Sequence, residues 1–430
     1  MGEIVVKSNT NESSYTAALV VLTSLFFMWG LITSLNDILI PHLKAIFTLS
    51  YVQAMLIQFS FFGAYFVMSF PSGYLVEKVG YRKGIIIGLV IAGIGCLGFY
   101  PAASQQSYPL FLAALFVLAS GITLLQVAAN PFVAILGKPE TAASRLNLTQ
   151  AFNSLGTTIG PYVGSVLILS VVAAGAVAVG AAEEIKTVQM PYLGLAGVLF
   201  LIAIVFSQFK LPTITSDTPL AGDTPAAGHN GVAGRSVWQY RHLVLGAVAI
   251  FVYVGAEVTI GSFLVNFMAQ PDIGGLTERT AGSYLSFYWG GAMVGRFIGA
   301  AVLRIAKPGY VLAFNATCAA ALLIVAIMTK GNTAMYAVLA IGLFNSIMFP
   351  TIFTLAIANL GKHTGEGSGV LCMAIVGGAI VPVVAGYFAD RMGIALSFFV
   401  PALCYAYIVY YGVKGHEERE RQGVALPVGS

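Results

Sequence analysis

Residues 211–236 read LPTITSDTPLAGDTPAAGHNGVAGRS, a run of Pro, Gly, Thr and Asp with too little apolar surface to build a core. Working outward from it, the sequence turns into long apolar runs, six on each side. The first six cover roughly 16–40, 52–75, 84–101, 108–136, 145–170 and 189–210. The second six cover roughly 243–267, 277–303, 308–329, 332–360, 367–388 and 394–414. A helix needs about 20 apolar residues to cross roughly 30 Å of hydrocarbon. The expected fold is an all-α membrane protein of twelve transmembrane helices in two six-helix, pseudo-symmetric bundles. Residues 1–210 would form the first bundle, 211–241 a cytoplasmic linker, and 242–430 the second bundle with a short tail.

Composition agrees. Hydrophobic residues make up 58% of the 430 and charged residues 9%, with a mean hydropathy of +0.87. Soluble domains are about 25% charged, so a water-soluble enzyme, a disordered chain and a nucleic-acid binder are all excluded. The lipid bilayer is the first partner. Cys96, Cys318, Cys372 and Cys404 are widely spaced within apolar runs, and no histidine falls at mid-depth. Neither a disulfide framework nor a metal centre is expected. The N-terminal MGEIVVKSNTNESSY does not read as a cleaved signal.

Placing the basic residues sets the orientation. With a cytoplasmic N-terminus, that side carries 15 Lys and Arg against 5 on the other, with Arg296 left over near a span end. The positive-inside bias puts both termini in the cytoplasm, and the inner membrane is the expected location. The halves also echo each other, since Gly156 and Pro161 recur 221 positions later as Gly377 and Pro382. Internal repeats joined by a linker suit a transporter with its site between the halves. Each half supplies one wall of the cavity, which favours a monomer.

Two acids fall inside spans, Asp37 and Glu257. A charge at bilayer depth is costly and must be paired, neutralised or turned toward a water-filled cavity. With Arg296 assigned to a span end, neither acid has an intramembrane cation. Asp37 could carry a proton, or could hold sodium with the oxygens of Thr33, Ser34 and Asn36. The other intramembrane polar groups are Gln58, Gln126, Asn130, Gln150, Asn153, Tyr284, Tyr288, Trp289, Asn345 and Thr351. Amides both donate and accept, matching sugar hydroxyls, while aromatic faces cover apolar C–H edges. An organic anion is disfavoured for want of a cation at mid-depth. Two motifs mislead: the GxGxxG at Gly93–Gly98 is a helix-packing surface, and Asn147-Leu-Thr149 lies in a span.

Gly73-Tyr-Leu-Val-Glu77-Lys78-Val-Gly80-Tyr-Arg82-Lys83-Gly84 resembles the loop signature of the major facilitator superfamily, with Glu77 in place of the usual Asp. That resemblance implies a charge latch that forms in one access state and breaks in the other. Its members would be Gly73, Glu77, Lys78, Gly80, Arg82, Lys83 and Arg145. A narrower resemblance rests on Ser34-Leu-Asn36-Asp37, Ala128-Ala-Asn130-Pro131-Phe132 and Arg145-Leu-Asn147-Leu-Thr-Gln150-Ala-Phe152-Asn153-Ser154. These look like the fucose–galactose–glucose cation symporters. That family implies alternating access, a central hexose site, Asp37 as the proton-binding acid, and Gln150 and Asn153 as sugar contacts. Tyr253-Val-Gly255-Ala-Glu257 is similar to the glucose/galactose branch. Where the family usually has a Glu in the fourth span, this chain has Gln126, which cannot titrate.

The resulting expectation is hexose–proton symport, with Asp37, Glu257 and Gln126 as the coupling set. Ser34, Asn36, Gln58, Gln126, Asn130, Gln150, Asn153, Glu257, Tyr288, Trp289 and Asn345 would form the sugar site. Sodium coupling is the nearest rival, followed by a drug exporter or a transporter-like sugar sensor. A co-transported ion takes the place of any cofactor. An embedded enzyme would need a nucleophile with a base or a metal cluster, and a channel a ring of charge; neither pattern is visible.

Overall fold

The computed structural model describes residues 9–46, 51–164, 189–208 and 236–417, and the linker over 211–235 lies outside them. Inside the helices the side chains of 9–15, 35–46, 51–55, 58, 161–164 and 278–279 are also outside the described set. Every element among the described residues is helical, as lipid demands, because a helix satisfies its own backbone. The first half comprises α1 (Asn9–Ile46), α2 (Tyr51–Val79), α3 (Tyr81–Ser104), α4 (Tyr108–Ile135), α5 (Ala142–Gly164) and α6 (Gln189–Gln208). The second begins with α7 (Arg241–Ala269), α8 (Glu278–Val302) and α9 (Pro308–Met328).

Its last three spans are broken. The tenth is α10 (Gly331–Asn345) followed by α11 (Met348–Ile357), and the eleventh is α12 (Thr364–Met373), a 3₁₀ turn and α13 (Gly377–Met392). The twelfth is α14 (Ile394–Ser397) and α15 (Phe399–Tyr410), closed by one wide turn over Tyr411–Gly415. Twelve spans among the described residues follow the apolar runs of the sequence, and ten of them are long and apolar enough to cross a membrane by that measure alone. The two that fall short are α5 and α8. They pack on each other, with the Phe152 and Phe297 rings 5.7 Å apart. The most polar spans therefore line the seam between the halves.

Close backbone approach replaces hydrophobic driving force between helices in lipid. A methyl group on Gly95 would sit 2.3 Å from the Leu118 backbone nitrogen, so the glycine-rich run of α3 is a packing surface against α4. The echo between halves is physical. A Cβ on Gly156 of α5 would fall 2.2 Å from the Phe27 carbonyl oxygen of α1, and one on Gly377 2.0 Å from that of Phe251 in α7. The same crossing is built twice.

Candidate functional site

Three prolines govern the middle of the molecule, because a proline within a helix has no N–H for the carbonyl four residues earlier. Pro131 in α4 leaves the Val127 carbonyl free, and Ser368 Oγ of α12 donates to it at 2.8 Å from the opposite half. Pro350 in α11 leaves the Ser346 carbonyl free, and Arg296 Nε of α8 donates to it at 3.1 Å. Pro131 and Pro350 are 219 positions apart, near the offset of the glycine echo. Pro382 in α13 is the third.

Arg296 corrects a sequence expectation. It is not at a span end but about two helical turns inside α8, and it faces the seam. Besides Ser346 it donates to Ser154 Oγ of α5, in the other half, and its charge reaches the Glu257 carboxylate. The expectation that neither acid has a nearby cation fails here for Glu257, because the Arg296 side chain is long enough to reach inward from the last two turns of α8 and cross the seam.

Around it the second half forms a saturated network. Tyr253 donates to Glu257 Oε1 at 2.8 Å and lies 3.2 Å from the Asn345 carbonyl. Asn345 Nδ2 donates to the Tyr288 hydroxyl at 2.8 Å, and Tyr405 donates to Asn345 Oδ1 at 2.6 Å. Glu257, Tyr288 and Asn345 are thus brought together, while Trp289 is 41% exposed and packs beside Gly261. Tyr405 and Arg296 escaped sequence reasoning.

The first half is differently made. Gln126 Nε2 donates to the Tyr65 hydroxyl at 2.6 Å. Asn130, one turn along the same face of α4, is fully buried, and neither amide atom finds a partner among the described residues. Gln150 is buried, Asn153 donates to the Phe26 carbonyl of α1 at 2.9 Å, and Ser34 bonds to its own helix at Leu31. Asn36, Asp37 and Gln58 have side chains outside the described residues.

The latch set separates into two. Glu77 accepts the backbone N–H of Glu366, an orphan donor in the first turn of α12, so an acid of one half caps a helix of the other. A Cβ on Gly73 would fall 2.8 Å from the Gly365 carbonyl oxygen, and Gly80 (φ 83°) turns the chain from α2 into α3. Arg145 instead clamps the end of α4, donating to the Ala134 carbonyl at 2.6 Å and the Lys138 carbonyl at 2.8 Å. Lys78 lies over the Tyr74 ring, Arg82 reaches the Ser207 carbonyl, and Lys83 is exposed. With Ser144 Oγ 2.5 Å from the Ala300 carbonyl and Asn147 Nδ2 3.4 Å from Thr351 Oγ1, this end of the seam is closed.

Two six-helix halves meeting along a polar seam define a membrane transporter rather than an enzyme. The chain belongs to the Major Facilitator Superfamily, whose family model matches residues 20–375. It is 58% identical over 406 residues to a protein named glucose/galactose transporter from Brucella abortus, covering 94% of this chain and 96% of that one. It is 36% identical to the L-fucose-proton symporter of Escherichia coli, covering 94% of each. The crystal structure of FucP, a Major Facilitator Superfamily transporter in the outward conformation, matches with a TM-score of 0.83 at 34% identity. That match covers 94% of this chain and all of the other.

Proposed function

We propose that this protein is a hexose–proton symporter of the inner membrane, with both termini cytoplasmic, working by alternating access. The observation that carries the reading is the seam, with neutral amides buried in one half and an acid–arginine–tyrosine network in the other, joined by the Arg296–Ser154 bond. Buried amides with unused hydrogen-bonding capacity suit a neutral, hydroxyl-rich ligand. The names of the relatives point to glucose and galactose, with fucose as the neighbouring case. On this reading Asp37 and Glu257 are the titrating members of the coupling set. Gln126 holds the Tyr65 hydroxyl as a neutral carboxylic acid would, and cannot release a proton. The closed end holds the Glu77 loop, which the positive-inside rule makes cytoplasmic, so on this reading the cytoplasmic gate is shut.

The test is uptake of labelled glucose, galactose and fucose into proteoliposomes under separately imposed proton and sodium gradients, for this chain and for Gln126→Glu. Hexose exchange by both forms, with proton-driven accumulation stronger in the Glu form, is expected. Full proton-driven accumulation unchanged by Gln126→Glu would remove Gln126 from coupling, and accumulation driven by sodium alone would replace the ion. No hexose uptake by either form would end the sugar reading. Asp37→Asn should abolish accumulation yet leave sugar-for-sugar exchange.

A further inference from the structure

At the closed end, Glu77 of α2 meets His363 and Glu366 of the second half, and one ligand-capable atom from each lies within 4.8 Å of the other two. His363 Nδ1 is 3.3 Å from Glu366 Oε2. In tetrahedral zinc coordination, with bonds of about 2.0–2.2 Å, neighbouring ligand atoms are roughly 3.4 Å apart. The His363–Glu366 pair is therefore already at ligand spacing, and Glu77 needs only a side-chain adjustment to join it. Two further observations point the same way. Glu77 Oε1 is buried with no hydrogen-bond partner among the described residues. Two carboxylates also face each other across the interface, with Lys362, itself exposed, as the cation acting on Glu77. Tyr81 and Tyr240 complete the wall without adding positive charge.

We infer that Glu77, His363 and Glu366 form a divalent transition-metal site that spans the two halves and takes Zn²⁺. One imidazole and two carboxylates give the borderline nitrogen–oxygen set that suits this ion, leaving water as a fourth ligand. Because the ligands come from both halves, the complete site exists only while this end is closed. Bound metal therefore favours the closed-end state, and at a free zinc concentration 100 times Kd its population relative to the open state rises about 100-fold. The ion acts as a brake on alternation and takes no part in recognising the transported solute.

The experiment titrates zinc chloride into the full-length protein in detergent, without sugar, followed by calorimetry at pH 7.5. One zinc per chain is expected, with affinity at least tenfold weaker in Glu77→Gln, His363→Gln and Glu366→Gln. Glu77→His supplies a different ligand at the same place and should keep zinc binding, which separates ligation from damage to the closed end. Unaltered affinity in Glu77→Gln would overturn the cross-half site. Loss of binding in Glu77→His, or no zinc binding by the unmodified chain below millimolar concentration, would do the same. No sugar enters the measurement, so the result is independent of the transport reading.

Discussion

The two halves share a scaffold and differ in chemistry. Each crosses its first and fifth helices on a glycine, Gly156 against the Phe27 carbonyl and Gly377 against that of Phe251. Each frees one carbonyl with a proline in its fourth span, at Val127 and at Ser346. The donors that answer are unlike. Ser368 reaches Val127 from the opposite half, so that bond exists only while the halves are in contact. Arg296 takes Ser346 within its own half and extends to Ser154 across the seam. The backbone, which lipid forces to be satisfied, is where the repeat persists. Side chains at the seam are where the halves diverge: amides with spare capacity on one side, a closed network on the other.

That comparison breaks most severely at the glycines. Gly156→Val and Gly377→Val each drive a side chain into a backbone carbonyl, which no rotamer relieves. Both should abolish folded protein in size-exclusion chromatography, to similar extents. A tolerated Gly377→Val beside a lethal Gly156→Val would show that the crossing is repeated in sequence but not in mechanical weight.

Arg296→Leu comes next. It strips the Ser346 and Ser154 hydrogen bonds, at about 1–3 kcal/mol each, and leaves the Glu257 carboxylate without its nearby cation. A fall in the thermal midpoint in detergent and loss of sugar exchange are expected. Adding Glu257→Gln to Arg296→Leu should recover part of the stability, since the uncompensated charge goes with it. No recovery would place the role of Arg296 in the hydrogen bonds alone. Asn345→Leu leaves the Tyr288 and Tyr405 hydroxyls buried without their partner, at about 1–3 kcal/mol each, read by the same midpoint.

Much of this was legible in the sequence. The twelve spans, the six-plus-six division and the Glu77 loop follow from hydropathy runs, linker composition and one motif, and the glycine echo followed from spacing. The proline pair at 131 and 350 was equally visible, though its meaning needs the partners. What sequence could not supply was rotation about each helix axis. In a membrane bundle the lipid-facing and core-facing sides are both apolar, so the pattern that orients a helix in a soluble protein is nearly absent. Hence Arg296 read as a residue near a span end, and Tyr65 went unnoticed beside Gln126. The two tyrosines that hold Asn345, Tyr288 and Tyr405, were not legible as its partners either.

Smaller effects test whether the spare capacity of the first half is real. Ser368→Ala removes one neutral hydrogen bond that the closed end alone provides, worth about 1 kcal/mol. It should raise the alkylation rate of a cysteine placed at this end by up to about fivefold, with little change in unfolding midpoint. An equal rate would mean that the Val127 carbonyl finds another donor on closing.

Asn130→Leu should cost least, and its small size is the point. The amide is fully buried, with neither atom bonded among the described residues. Replacing an unsatisfied polar group by an apolar one of like volume relieves a desolvation penalty instead of stranding a partner. The midpoint should stay within about 1 kcal/mol of its original value or rise, where Asn345→Leu, at equal burial, lowers it clearly. If the amide instead meets a hydroxyl of the transported solute during alternation, sugar affinity falls while stability does not. A drop in midpoint matching that of Asn345→Leu would show Asn130 to be partnered, and the contrast between the halves would then rest on Arg296 and Glu257 alone.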